Sequence, residues 1–289
     1  MLLSQAGGAA ALLAGSLISA GGTRWENNVK VWLDATQIYD LSRDRWRQGP
    51  PLPVKLAYGP FTQSAAGLEI YGGTDGRTVS RQIYRLDAAL TRWSRAGQAP
   101  ADLLLGRAVR VGGRVFLFGG CGDVADLTRC ADAVWTREDG GPWKRVGALP
   151  GGAVASPAAV LHDGMVYLFG GCSMPAGNKL VNRAEAWRFD PKSLAWRPLR
   201  ALPAANRGLT AVSARGRIYL FGGYTTGFTA GVWRYDPASD LYAPETPLPV
   251  AVAFMEFFTG NGHFIGAGGE DRARSRTDRT FAGVLKEDR

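Results

Sequence analysis

Apolar and polar residues along this chain alternate in short bursts rather than in helical stripes. The clearest burst is Val166-Tyr-Leu-Phe-Gly-Gly171. Near-copies stand at 68–73, 115–120 and 218–223, and looser ones at 16–22 and 264–269. Each is a short apolar, β-branched or aromatic run ending in Gly-Gly, which predicts a buried strand with a break at its end. The paired glycines supply positive φ and let neighbouring backbone approach closely. The second glycines fall at 22, 73, 120, 171, 223 and 269, so successive spacings are 51, 47, 51, 52 and 46 residues. A steady period of that size predicts a repeat architecture in which each unit packs on the next.

A second mark keeps the same period. Asp40, Asp87, Asp190 and Asp236 each follow an apolar residue, and six residues later come Trp46, Trp93, Trp196 and Tyr242. This predicts a strand, an Asp-containing turn and a strand with an inward aromatic. Leu52-Pro53, Ala99-Pro100, Leu149-Pro150, Leu202-Pro203 and Leu248-Pro249 then close most units. The pattern resembles the kelch repeat, whose units are four-stranded blades of a β-propeller. The expectation is an all-β chain, a six-bladed kelch β-propeller forming one domain over residues 1–289. Third strands of blades three to five align on Trp135, Trp187 and Trp233. Blade three lacks the apolar-Asp mark and has a shortened turn at 139–142 before Trp143. Blade six is expected at 251–259, 263–269 and 280–285 without a fourth strand. Either it has three strands or its completing residues lie outside this sequence.

Composition changes the picture little. The chain has 289 residues, 46% apolar and 20% charged, which fits a globular protein. The net charge of +9 is mostly scattered arginine. Nucleic acid is not an expected partner, because no binding motif or basic helix accompanies the charge. An anionic small ligand is compatible with it. The apolar first 22 residues lack a basic n-region, Arg24 being the first basic residue, and the repeat claims them as two strands of blade one. With the repeats assigned, no stretch remains to span a membrane.

Cysteine and histidine narrow the chemistry. Cys121 and Cys172 follow Gly-Gly in adjacent blades, and Cys130 lies nine residues after Cys121. A Cys121–Cys130 disulfide is one reading and implies an oxidising compartment. Three ordinary thiols is the other. No metal site is expected, since there is no Cys-x-x-Cys and the only histidines are His162 and His263. The same scarcity discounts a copper oxidase on a kelch ring and any histidine-based triad.

Repeated positions build the ring, so function is sought at unrepeated ones. Loops after each Gly-Gly and the stretches entering each first strand share one rim near the channel. Arg24, Trp25, Glu26, Asp75, Arg77, Arg107, Arg207, Asp271 and Arg272 are candidates there. One group stands apart, Gly269-Glu270 followed by Arg276-Thr277-Asp278. A carboxylate ends a buried strand, and a basic residue follows six positions on, where the next strand is expected to begin. This resembles the Gly-Glu…Arg-Thr-Asp element of the kelch-propeller sialic acid mutarotases (N-acetylneuraminate epimerases). The resemblance implies Glu270 and Arg276 as the catalytic pair and an acidic sugar such as N-acetylneuraminate as substrate. Arg24, Glu26, Arg107, Arg207 and Arg272 are the expected substrate contacts. Anomer exchange needs one proton removed from the anomeric hydroxyl and one delivered to the ring oxygen, which a carboxylate can shuttle. Arginine can hold a substrate carboxylate in a fork, and no metal, nucleotide or redox cofactor is called for. Two other readings stand beside it. One is a non-catalytic ring that binds a protein or glycan through the same rim. The other makes Glu270–Arg276 a loop salt bridge that stabilises the unfinished blade.

Overall fold

A computed structural model describes residues 1–175, 179–260 and 262–284. Among the described residues six antiparallel sheets succeed one another, five of four strands and the last of three. Two further two-stranded hairpins, Thr23–Glu26 with Val29–Trp32 and Cys172–Ser173 with Val181–Asn182, stand after the Gly-Gly of blades one and four. Among the described residues the only helical turn is Leu127–Arg129. The sheets are the six blades of a β-propeller, as the period of the sequence predicts. The residue 285 expected in the last strand lies outside the described residues.

The first strands, Ala9–Leu13, Phe61–Ser64, Arg107–Val111, Ala158–His162, Thr210–Ala214 and Glu256–Gly260, surround the central channel. The Gly-Gly strands lie next, Ser16–Ala20, Gly67–Thr74, Arg114–Phe118, Met165–Phe169, Arg217–Phe221 and His263–Ala267. Leu117, Leu168 and Leu220 of these strands pair with Trp135, Trp187 and Trp233 of the third strands. The chain can turn sharply after each second strand because Gly-Gly is left-handed. At Gly170, φ is +61°, and a Cβ would meet the Asn206 carbonyl at 2.3 Å. Gly171 donates its N–H to that same carbonyl at 2.8 Å, so the close approach is itself a tie to the next blade.

Blades pack face to face through five apolar clusters, one at each joint from blades one and two to blades five and six. The joint of blade six to blade one is tied by hydrogen bonds. Gly269 N–H donates to the Gln5 carbonyl at 2.8 Å, Gln37 holds Gln5 and Leu3 through its amide, and Trp46 Nε1 donates to Thr280 Oγ1 at 2.9 Å. The segment around Leu3 and Gln5 runs along this seam.

A second set of ties runs around the channel mouth. At this place one equivalent residue of each blade is left-handed: Gly7, Tyr58, Leu105, Ser156, Gly208 and Phe254, with φ from 54° to 69°. Tyr58 N–H donates to Gly7 O at 2.7 Å, and Leu105 to Tyr58, Ser156 to Leu105, Gly208 to Ser156 and Phe254 to Gly208 at 2.8, 2.6, 3.1 and 2.7 Å. Each bond joins equivalent residues of neighbouring blades.

Charge is also buried between blades two and three. Glu69, 2% exposed, accepts from Tyr71 Oη at 2.5 Å and from Arg85 Nε at 2.9 Å, and Arg110 and Arg137 stand at 3.3 and 3.6 Å. Burial pushes the Glu69 carboxyl up, but the Tyr71 hydroxyl and the Arg85 guanidinium outweigh this and hold it below the usual range. A depressed folded value adds stability above the unfolded carboxylate's range, about pH 4.3, and loses it as pH falls further. Glu69→Gln leaves the buried Arg137 without its counter-charge, while Arg110 keeps Asp139 at 2.6 Å, and is expected to cost about 3–5 kcal/mol at neutral pH. In urea unfolding the gap between variant and wild type should narrow in acid. A constant gap would show that the charge of Glu69 is not what matters.

Candidate functional site

The rim is built the same way in every blade. The residue after Gly-Gly forms an antiparallel bridge with the residue before the left-handed one: Thr23 with Ala6, Thr74 with Ala57, Cys121 with Leu104, Cys172 with Ala155, Tyr224 with Arg207 and Glu270 with Ala253. Glu270 is the one carboxylate among these six. Its backbone is fixed on both sides, its N–H donating to Ala253 O at 2.7 Å and its carbonyl accepting from Ala253 N–H at 2.8 Å. A rigid strand end thus aims the side chain.

Arg276 comes to it. Its Nη1 stands 2.9 Å from Glu270 Oε1, with side-chain exposures of 4% for Arg276 and 22% for Glu270. The loop between them is pinned by Thr277 N–H donating to Gly269 O at 3.0 Å. Regular pairing resumes only at Thr280, so Arg276 sits in the loop and not at the start of the next strand as the sequence suggests. Arg276 Nη2 donates to Thr23 Oγ1 of blade one at 3.3 Å, while its Nε is buried and unpartnered among the described residues. Thr23 Oγ1 in turn lies 3.2 Å from Tyr58 Oη of blade two, and Lys30 Nζ donates to that hydroxyl at 3.4 Å. Lys30 Nζ is within 6 Å of the ring centres of Trp25, Trp32 and Tyr58, at 5.6, 5.9 and 5.7 Å. A continuous polar chain therefore runs Glu270–Arg276–Thr23–Tyr58–Lys30 across three blades, edged by aromatic faces that attract cations. The tight fit is local: a Cβ on Gly7 would lie 2.4 Å from the Tyr58 ring.

The other expected contacts are distributed around the ring. Arg24 and Glu26 pair with each other on the blade-one hairpin. Arg272 is exposed in the Glu270–Arg276 loop. Arg207 lies 4.2 Å over the Tyr224 ring and donates to Asn182 Oδ1 at 2.5 Å, at the joint of blades four and five. Arg107 points into the channel, where its Nη1 meets Glu256 Oε1 from the opposite blade at 2.6 Å and its Nε donates to Pro157 O at 2.7 Å. Thr210 Oγ1 supports Glu256 by standing 3.3 Å from Oε2. Beside this strut lies a cavity of about 410 Å³ lined by all six first strands. The sequence reading missed Glu256, Tyr58 and Lys30. Aligning blades on the left-handed residue would have found Glu256, because that column reads Ala9, Pro60, Arg107, Ala158, Thr210, Glu256. Among the described residues no group of three His, Cys, Asp or Glu side chains is placed to hold a metal ion.

Comparison with known proteins agrees with the fold. A family model described as the Kelch motif matches residues 153–203 and 205–249, in blades four and five. Kelch-like protein 35 of Mus musculus is 28% identical over 211 residues, 73% of this chain and 35% of that protein. Kelch-like protein 34 of Homo sapiens is 25% identical over 198 residues, 63% of this chain and 30% of that protein. N-acetylneuraminate epimerase of Haemophilus influenzae is 27% identical over 126 residues, 43% of this chain and 32% of that protein. The chain thus spans about a third of the length of the curated relatives it matches.

The rim positions of blades three and four hold thiols. Cys121, Cys130 and Cys172 are all free, so the disulfide reading gives way to three thiols, although Cys121 and Cys130 face each other across a β-bridge. The Cys121 thiol points to the Leu104 carbonyl at 3.3 Å. Its hydrogen bond to Cys130, and then burial, push Cys121 up, whereas the same bond draws Cys130 down. Burial pushes Cys172 up to about 11. Thiolate is the reacting form. Iodoacetamide near neutral pH should therefore modify Cys130 first in the folded protein, with Cys121 and Cys172 reacting only on unfolding. Equal rates by peptide mass mapping would contradict this assignment.

Proposed function

The chain is a kelch-motif β-propeller, and we propose that it acts as a cofactor-free sugar mutarotase or epimerase on an acidic sugar such as N-acetylneuraminate. The observation that carries this reading is the Glu270–Arg276 pair, a carboxylate on a fixed strand end against a buried guanidinium. Glu270 takes the proton of the anomeric hydroxyl as the bond from the anomeric carbon to the ring oxygen breaks, leaving a carbonyl. The ring oxygen receives a proton back from Glu270 or from solvent. Closure on the other face of the carbonyl reverses both transfers and gives the other anomer. Arg276 positions the carboxylate and offers its remaining donor directions to a substrate anion. Lys30, Tyr58 and Trp25 extend the site with one further cation and apolar ring faces, which suit the two sides of a sugar. The partial likeness to an N-acetylneuraminate epimerase supports the reading.

A second reading has its own support. The likeness to Kelch-like protein 35 runs over 73% of this chain against 43% for the epimerase, and its name states no reaction. Under that reading the rim binds a protein or glycan without chemistry, and Arg207 on Tyr224 is one further recognition station.

Exchange NMR with a panel of reducing sugars that includes N-acetylneuraminate separates the two. Catalysis predicts faster anomer exchange with the acidic sugar, falling by about 10²–10⁴-fold in Glu270→Gln while binding persists. Binding without faster exchange favours the second reading, and no effect of the protein on any sugar rejects the first.

A further inference from the structure

The channel carries a charge pair that the repeat does not call for. Two places after the left-handed residues, blades one, two and four hold Ala9, Pro60 and Ala158, whereas blades three, five and six hold Arg107, Thr210 and Glu256. Arg107 and Glu256 meet across the channel at 2.6 Å, with side-chain exposures of 16% and 17%.

Neither partner is saturated by the other. Arg107 uses Nε on Pro157 O and Nη1 on Glu256 Oε1, and its Nη2 makes no bond among the described residues. Glu256 Oε2 has the Thr210 hydroxyl beside it at 3.3 Å. That hydroxyl has a single hydrogen and donates it to Met255 O at 2.7 Å, so it turns a lone pair toward the carboxylate. One open donor and one open acceptor thus stand on the same strut, beside the cavity of about 410 Å³. The other cation lining that cavity, Arg110, already has two carboxylates, Asp139 at 2.6 Å and Glu69 at 3.3 Å. Gln63 is exposed on the wall and accepts from Leu12 N–H at 2.7 Å, which leaves its amide N–H groups for another partner. Phe61 and Phe258 line the same space, each half-buried.

We propose that the channel is a binding site for a neutral sugar, distinct from the Glu270–Arg276 pair at the rim. A sugar hydroxyl both donates and accepts. Neighbouring hydroxyls can therefore give a hydrogen to Glu256 Oε2 and take one from Arg107 Nη2 without breaking the ion pair. Hydrogen bonds to ionised partners are the stronger kind, so the strut both orients the ring and holds it. Gln63 serves a further hydroxyl, and the phenyl rings suit the apolar side of a pyranose. The cavity volume falls within the range of small-molecule sites. An acidic sugar is the wrong occupant here. Arg107, expected from the sequence as a contact of an acidic substrate, is already neutralised, and a second carboxylate would be repelled by Glu256.

The methyl glycosides of glucose, galactose and mannose test this, since they are neutral and lack the free anomeric hydroxyl that the rim reaction needs. Saturation-transfer NMR with the 289-residue chain is expected to show saturable binding of at least one. Gln63→Ala should weaken it about threefold or more while the melting temperature stays near wild type. Glu256→Gln should weaken it about tenfold or more. That variant also frees the Arg107 guanidinium, so it should take up acetate where the wild type does not, an outcome that a merely structural role for Glu256 does not give. Glu270→Gln, changed at the rim, should bind the glycosides as the wild type does. No saturable binding of any of the three, binding unmoved by both Gln63→Ala and Glu256→Gln, or binding lost in Glu270→Gln overturns the proposal.

Discussion

The hydrogen bonds that pass between left-handed residues around the channel mouth set the geometry on which everything else depends. Four of the six residues are not glycine, and a left-handed conformation costs an L-residue about 1–2 kcal/mol. Each ring bond returns about 1 kcal/mol net, so the ring is close to break-even as a source of stability. Its effect is registration. It fixes the start of each first strand against the next from blade one to blade six, and with it the position of the residue bridged to it after Gly-Gly. Stability comes from the apolar clusters at five joints, where fully buried rings such as Phe118, Phe169 and Tyr235 pack between blades. Division of labour follows: hydrophobic burial holds the blades together, and a backbone ring says where each blade must stand.

That registration turns unrepeated side chains into a site. Glu270 occupies a column otherwise filled by threonine, cysteine and tyrosine, and two backbone hydrogen bonds to Ala253 fix the main chain from which its carboxylate projects. The seam between blades six and one, tied by Gln5, Gln37 and Trp46, is where Arg276 bridges from the last blade to Thr23 of the first. A polar joint suits this place. Side chains with unsatisfied donors can be held there without the desolvation that an apolar cluster would impose. The same logic puts Arg107 and Glu256 together across the channel, since residues in one column of opposite blades project toward a common axis.

How much of this the sequence discloses depends on whether a side chain is needed to make the feature. The Gly-Gly strands, the aspartate turns and the fourth-strand aromatics are legible because each demands a particular residue at a fixed spacing. The left-handed ring is not legible: Gly7, Tyr58, Leu105, Ser156, Gly208 and Phe254 share a backbone conformation and no side-chain character. Because that column is invisible, the alignment that pairs Arg107 with Glu256 is invisible too, and both look like isolated loop charges. Tyr58 and Lys30 escaped for a related reason. One is a ring residue and the other lies on a hairpin that only blade one has in that form, so neither breaks a repeated pattern. Arg276 was found through its motif, but its place in the loop rather than at a strand start follows from the Thr277–Gly269 bond, which no spacing announces.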